Sequence, residues 1–572
     1  MKQTRLFLIL LFLGLPLLFA GRSADTAVHA EPSGASATPR INIPFTTAVE
    51  PDIPVADRAI LWYGEVGPTT QSYTDVRIIY NNEKLHVVFH IIDQYMYYDP
   101  TPTAAEMPNW DAATLYLDLD GNSGGTPDSN TYRFRGQLSA LNDSRAGYEV
   151  AYVGNGSDWS QTSLDFETAI GTQTENGLNN QQSDAGWNIT FRIPWSSLGL
   201  SGPPSEGTVW GLGLTTHDED GTAHEDRYWP EGLNSNSPAT WGKMHFGLPS
   251  YTSPSGVVGS NTATIRHGEN GADVPDGHVG GATNCGGFPP FWNSWGNFNY
   301  AGDFQINVQN QWNLGDWGCF SKYYVTFPLD ALPADQAIVS ADLTMYHFGN
   351  SLPSEAQPSL IQVFTVDEDW NESTLVWNNA PRAVENVART WVNPLPIGGD
   401  GQFVTWDLSA AVAEAYSNGQ PLRLALYSAD GARHSGKYFG SSETFVPNRR
   451  PTLAITYGSA YGFNITADQV VQTAVPGDSA QYELTVTPTG GFDTAVTFQA
   501  NNVPSSVSVN IPAGNVTPPG GKTITISHND AGQTTGGLYS VPITISGDGV
   551  ERTVILYLLV NGSQTFLPAI QR

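Results

Sequence analysis

Positive charge is scarce in this sequence: 25 Lys+Arg stand against 55 Asp+Glu, a formal net charge of -30. A field of that sign repels phosphate backbones and argues against a nucleic-acid partner. Cysteine is nearly absent, with only Cys285 and Cys319. No CxxC accompanies them, so a four-ligand zinc site built on these cysteines has no support. No helical periodicity of useful length runs anywhere. SxxK, a P-loop and HExxH are all missing, which removes common nucleophile, nucleotide and metalloprotease signatures and leaves no organic cofactor expected. The N-terminal run Leu6 to Ala20 is too short and wrongly flanked for a dependable membrane span, and no second apolar run is long enough to cross a bilayer.

The chain is rich instead in turn formers and aromatics, with 59 Gly, 39 Pro, 24 Tyr and 16 Trp in 572 residues. That mixture favours many short strands, and the length requires several cores. At the N-terminus Lys2 and Arg5 precede the apolar run, and Val28-His29-Ala30 offers a small-x-small cleavage site. Residues 1-30 read as a secretory signal peptide, so the mature protein is expected to be exported, extracellular and not inserted in a membrane. In an oxidising compartment Cys285 and Cys319 read first as a disulfide, with two free thiols as the alternative. Such a bridge contributes ~3–4 kcal/mol by the chain-entropy estimate.

Composition divides the remainder. Residues 31-40 form a Ser/Ala/Pro-rich linker; 41-250, 258-458 and 460-560 each alternate short strands with Gly/Asn/Asp turns; 561-572 form a tail. The expected fold class is all-β, three consecutive β-sandwiches. The most informative stretch is Asn109 to Asn122. Trp110 beside Asp111 suits a sugar, which stacks on a ring and hydrogen-bonds to polar groups. Asp118, Asp120 and Asn122, with Asp128 nearby, suit a structural calcium ion. Ser123 and Ser129 occupy the places an EF-hand gives to Gly and Glu, so the same residues also read as a strand-ending turn. Asp218-Glu219-Asp220-Gly221 invites the same two readings.

These residues also carry a family resemblance. Asn81 to Val87, Trp110-Asp111 followed by Leu115-Tyr116-Leu117-Asp118, Phe191 to Leu198, and Pro238 to Gly242 resemble, in order, the strand signatures of carbohydrate-binding module family 9. The resemblance implies a sugar held between two tryptophans, helped by carboxylate, Arg and Asn groups. Trp110 falls near the first tryptophan position. Leu233-Asn234-Ser235-Asn236-Ser237 fills the loop expected to hold the second, Trp229 is the nearest substitute, and Thr114 replaces a glutamate. The expected carbohydrate-binding residues are therefore Trp110, Asp111, Trp229, Asn234 and Asn236.

In the second unit, Trp370 to Pro381 and Arg449 to Tyr457 resemble the DNRLRE domain, also classed as carbohydrate-binding module family 96. That implies a jelly-roll-like sandwich from secreted polysaccharide-handling proteins. Trp370 and Trp377 read as core and corner residues, with sugar platforms as the alternative. Arg433, His434, Lys437, Arg449 and Arg450 read as a solvated face, or else as a patch for an acidic glycan. The third unit is similar to bacterial Ig-like modules and reads as a spacer. The expected function is a secreted, non-catalytic protein binding a polysaccharide or oligosaccharide. The alternatives are a polysaccharide hydrolase or lyase and a structural surface or adhesion protein.

Overall fold

The structure, a computed structural model, describes residues 38–68, 72–121, 124–174, 176–254, 257–281, 290–311, 319–334, 336–431, 434–489, 492–529 and 537–561. The expected signal peptide, most of the linker and the tail lie outside them. So do Asn122, Cys285 and Arg433. The described chain is all-β, built as sandwiches, with only two short α-helices, Pro290–Ser294 and Ser409–Ser417.

The first sandwich faces an eight-stranded sheet against a five-stranded one. In the larger sheet, Ala112–Asp118 pairs with Val209–Glu219 on one side and Thr131–Gln137 on the other. Period-2 alternation sorts its residues: Ala113, Leu115 and Leu117 enter the core, where they meet Val87, Phe89, Ile189 and Phe191 of the smaller sheet. Thr114 and Tyr116 point to the opposite, outer face.

The smaller sheet is covered on both faces. Strand Tyr73–Tyr80 is buried along its whole length. Val76 and Ile78 enter the sandwich core, whereas Tyr73, together with Ile60 and Trp62 of the neighbouring strand Ala59–Gly64, joins a separate apolar cluster. Phe320, Tyr324, Phe364, Trp377 and Tyr427 of the second sandwich complete that cluster. The two sandwiches thus share a third core.

The second sandwich is one eleven-stranded hydrogen-bonded sheet that folds over its own core. Strand Gln305–Gln311 links its halves: residues 305–308 pair with Lys437–Gly440 and residues 309–311 with Cys319–Phe327. Cys319 is buried and disulfide-bonded; its expected partner Cys285 lies outside the described residues. The third sandwich packs two four-stranded sheets. Its strand Ser479–Thr489 alternates buried and exposed residues cleanly. Among the described residues no helix is long and apolar enough to cross a membrane.

Trp377 is buried in the shared core, and Trp370 is half-buried against Tyr324, their rings 6.3 Å apart. Both serve packing, as their residue type in a corner suggests. Among the described residues, the basic side chains of the second sandwich are engaged in local contacts. Buried Lys437 donates to the carbonyls of Gln357 and Ser435, and Arg450 donates to those of Thr444 and His267. Arg449 lies over the Tyr346 ring at 4.3 Å. Carbonyls and a ring take up charges that the sequence leaves open for an acidic ligand.

Candidate functional site

The outer face of the eight-stranded sheet gathers polar and aromatic side chains by register. Thr114 stands opposite Thr215 and Arg135, and Tyr116 opposite Arg133. Strand His224–Trp229 continues the face, placing Asp226 opposite His217 and Tyr228 opposite Thr215. A chain of hydrogen bonds crosses these strands. Arg135 Nε donates to Thr114 Oγ1 at 3.0 Å, Thr114 Oγ1 meets His217 Nε2 at 2.9 Å, and His217 Nδ1 meets Asp226 Oδ1 at 2.6 Å. The Tyr228 hydroxyl donates to Asp226 Oδ2 at 3.0 Å, and His224 Nε2 lies 3.2 Å from Asp226 Oδ1.

Burial pushes the His217 imidazole below its ordinary range, against the pull of Asp226. Burial alone would raise Asp226, but the hydrogen bond and charge of His217 outweigh it and hold the carboxyl low. A neutral His217 then donates Nδ1–H to anionic Asp226 and accepts at Nε2 from the Thr114 hydroxyl. Hydroxyl, imidazole and carboxylate are connected as in a nucleophile–base–acid triad. However, Thr114 is fully buried and its oxygen already accepts from Arg135, so the chain braces the face rather than arming a nucleophile.

Beside this brace lies an aromatic platform. The Arg133 guanidinium sits over the rings of Tyr152 at 3.9 Å and Trp159 at 4.8 Å. Trp159 runs parallel to Trp241, 4° between planes and 6.4 Å between centres, and Tyr116 packs on Trp241 at 5.4 Å. Trp159 Nε1 donates to Asn236 Oδ1 and Trp241 Nε1 to the Asn234 carbonyl, both at 2.9 Å. Trp241 is buried and Trp159 is half-buried, so the partly open ring of Trp159 is fixed in orientation beside a cation and exposed amides. Asn234 and Asn236 are both exposed here. Trp110 is half-buried and follows the short turn Met107–Asn109, whose Met107 packs with Val150 and Tyr152, close to Trp159.

Two expected sugar contacts need correction. Asp111 is fully buried: its Oδ2 accepts from the Tyr97 amide at 2.7 Å and its Oδ1 from the Glu219 amide at 2.8 Å. Trp229 points into the core, 2% exposed. Alternation explains it, because Asp226 and Tyr228 take the outer face and residue 229 must take the inner one. A Cβ at position 242 would lie 2.5 Å from the Trp229 ring, so Gly242 is what lets that ring pack. Trp159, Trp241 and the His217–Asp226 pair were not singled out by sequence reasoning. The period-2 pattern of His224 to Trp229 was the available signal for Asp226 and Tyr228, whereas nothing local marks Trp159.

Acidic residues meet in two places. Asp118 is buried and pushed up to about 9, by burial first and then by Asp120. Lys243 lies against both carboxylates and is lowered chiefly by its own burial. Asn130 Nδ2 donates to Asp120 at 3.1 Å. The second place joins Asp93, Asp111 and Asp218, whose oxygens lie within 4.8 Å of one another, with Asp220 alongside. All four are buried. Burial and mutual repulsion raise Asp93, Asp111 and Asp218 well above the carboxylate range, and Asp220 up to about 7. Both oxygens of Asp218 lack a hydrogen-bond partner. Buried, all-oxygen donors of one sign, with the Asp218 carboxylate unpartnered, fit a hard divalent cation. His217, His224 and Asp226 also lie within ligand distance of one another, but their atoms already satisfy one another by hydrogen bonding.

Residues 293–457 match carbohydrate-binding module family 96. That segment is the greater part of the second sandwich. No curated protein matches the chain. Among solved structures, a family 9 carbohydrate-binding module from Caldicellulosiruptor kristjanssonii in complex with cellotriose is similar at 16% identity and a TM-score of 0.26, covering 37% of this chain and 95% of that one. The same organism's family 9 module in complex with glucose gives 15%, 0.26, 38% and 100%. Domains 1-6 of the surface layer protein SbsC give 10% identity and a TM-score of 0.14 over 84% of this chain and 53% of that one.

Proposed function

We propose that this chain is an exported, non-catalytic glycan-binding protein whose first sandwich binds sugar on the outer face of its eight-stranded sheet. One observation carries the reading: the half-buried Trp159 ring is fixed beside Trp241 and the Arg133 guanidinium, with Asn236 on its indole nitrogen. A pyranose ring stacks its C–H face on such an indole while fixed amides, Arg133 and Tyr228 meet its hydroxyls. Little is ordered on binding because the brace through Thr114, His217 and Asp226 is already in place. The family 96 match over residues 293–457 supports a second module of the same class on the chain. Two modest sites on one chain reinforce each other through effective concentration.

In this reading a calcium ion binds Asp93, Asp111, Asp218 and Asp220, where it supplies the positive charge those carboxylates need. It is structural, tying the end of strand Lys84–Ile92 to the start of Ala112–Asp118 and the end of Val209–Glu219. The third sandwich serves as a spacer. The deciding experiment is affinity electrophoresis of the wild type and Trp159→Ala through gels of neutral and acidic polysaccharides, with product assays alongside. Retention lost in the variant, with no reducing ends or unsaturated uronates released, supports the reading. Turnover, or retention that ignores Trp159, counts against it.

A further inference from the structure

The second sandwich exposes aromatic rings that its own packing does not use. Phe445 is 90% exposed, Phe304 57% and Phe298 51%. Phe304 and Phe445 come from segments far apart in sequence yet stack, 6.4 Å between centres and 30° between planes. Both segments are tied down. The Thr444 hydroxyl donates to the Phe304 carbonyl at 3.0 Å and the Ser441 amide to the same carbonyl at 3.3 Å. Asn299 Nδ2 donates to the carbonyls of Glu372 and Leu375, each at 2.7 Å, and the Gly302 amide donates to Glu372 Oε1 at 3.0 Å. Tyr300 stacks on His278 at 4.4 Å. An exposed, paired and anchored aromatic patch is uncommon on a folded surface and marks a contact site.

The rim of this patch is acidic. Asp303 is raised first by burial and then by the charge of Glu443, and Glu372 by burial and then, among other charges, by Glu443 and Asp273. Beneath it Asp276, fully buried, accepts from the Tyr323 hydroxyl and from Ser442. The nearby cations do little to offset this: His267 faces Glu372 and Asp273, and Arg450 is committed to two carbonyls. Such a field rejects uronate and sulfate groups while leaving carboxylate acceptors for hydroxyls.

We infer that the second sandwich carries its own glycan subsite, in which the Phe304–Phe445 pair stacks an uncharged sugar and Asp303, Glu372 and Glu443 receive its hydroxyls. This inference rests on the glycan-binding reading above and adds a location and a charge class to it. Stacking on the pair is worth about a fivefold gain in affinity, and bivalent attachment multiplies it.

The test uses the full chain on gels containing a neutral β-glucan, mannan or xylan, or else polygalacturonate. The wild type should be retarded by a neutral polymer and pass polygalacturonate freely. Phe304→Ser with Phe445→Ser should weaken neutral retention about fivefold or more at unchanged melting temperature, and Phe445→Trp should keep it. Retention that survives the double variant but falls in Trp159→Ala overturns the subsite and leaves the first site standing. Preferential retention on polygalacturonate overturns the charge class. No retention of the wild type on any neutral gel overturns the inference. A dimer in sedimentation that the double variant abolishes assigns the patch to a second copy of the chain and overturns it too.

Discussion

The two sheets of the first sandwich are built from the same alternating pattern, yet they spend their polar residues differently. On the smaller sheet, Asp75 and Arg77 are sealed beneath the second sandwich. Asp75 accepts from Tyr73 at 2.7 Å, Asn310 at 2.8 Å and Tyr427 at 3.2 Å, and Arg77 donates to the Ala429 carbonyl at 3.0 Å. Lys322 of the second sandwich is boxed by rings, with Nζ 3.7 Å from the centre of Trp377 and 4.6 Å from those of Trp62 and Tyr73. Burial pushes its ammonium far below the ordinary range, against the pull of Asp75. On the larger sheet, Arg133, Asp226, Tyr228 and Trp159 remain partly open to solvent. Ion pairs and cation–π contacts on the smaller sheet join two modules, while similar groups on the larger one are left available to a ligand. Burial from the far side, rather than residue type, separates structure from function here.

That contrast sets the expected effects. Asp75→Ala strips acceptors from three residues and leaves Arg77 and Lys322 without a counter-charge, so it should cost about 3–5 kcal/mol. Asp226→Ala, on a half-exposed site, should cost about 1–2 kcal/mol. Urea titration of both variants checks this, and equal losses would erase the distinction between the faces.

Acid should act next. Burial lowers His86, His278 and His347 to about 4. Groups lowered on folding add stability above their unfolded value near 6.5, and that stability is lost as pH falls from there towards 4. At pH 5 the loss reaches up to ~2 kcal/mol per residue. Urea midpoints should therefore drop between pH 7 and pH 5, and His278→Gln should flatten part of the slope.

Removing calcium comes third. Ligand at about a hundred times its dissociation constant adds ~2.7 kcal/mol, so EDTA should lower the melting temperature by several degrees. Asp218→Asn should abolish the response to added calcium. An unchanged melting temperature would mean that protonation alone keeps these carboxylates together.

The sequence made the sandwiches legible because alternation and turn residues are local signals. Parity along Ala112–Asp118 separates the core-facing Leu115 and Leu117 from the outward Thr114 and Tyr116. The same parity along His224–Trp229 shows Trp229 turned inward, against its expected place on the face. Asp111 misled for a different reason. It directly follows Trp110, but neighbours on a strand diverge, and its carboxylate serves two backbone amides instead of solvent. Asn236 accepts from Trp159 and Asn234 from Trp241, so the loop that carries them lies beside the platform. Trp159 itself lies on an edge strand, and only tertiary register brings it to Trp241 and Arg133. The shared core was hidden for a related reason: Tyr73-Thr74-Asp75-Val76-Arg77 looks half-exposed until a second module covers it.

The smallest expected effect is also the most direct test. Titrating a glycan that retards the wild type into Trp159→Ala, with affinity and melting temperature both measured, isolates the platform from the fold. Loss of one stacking ring, about 0.5–1.5 kcal/mol, should weaken affinity roughly 2- to 13-fold with little change in stability. Affinity equal to that of the wild type would contradict the account, because the outer face would then be ordinary surface.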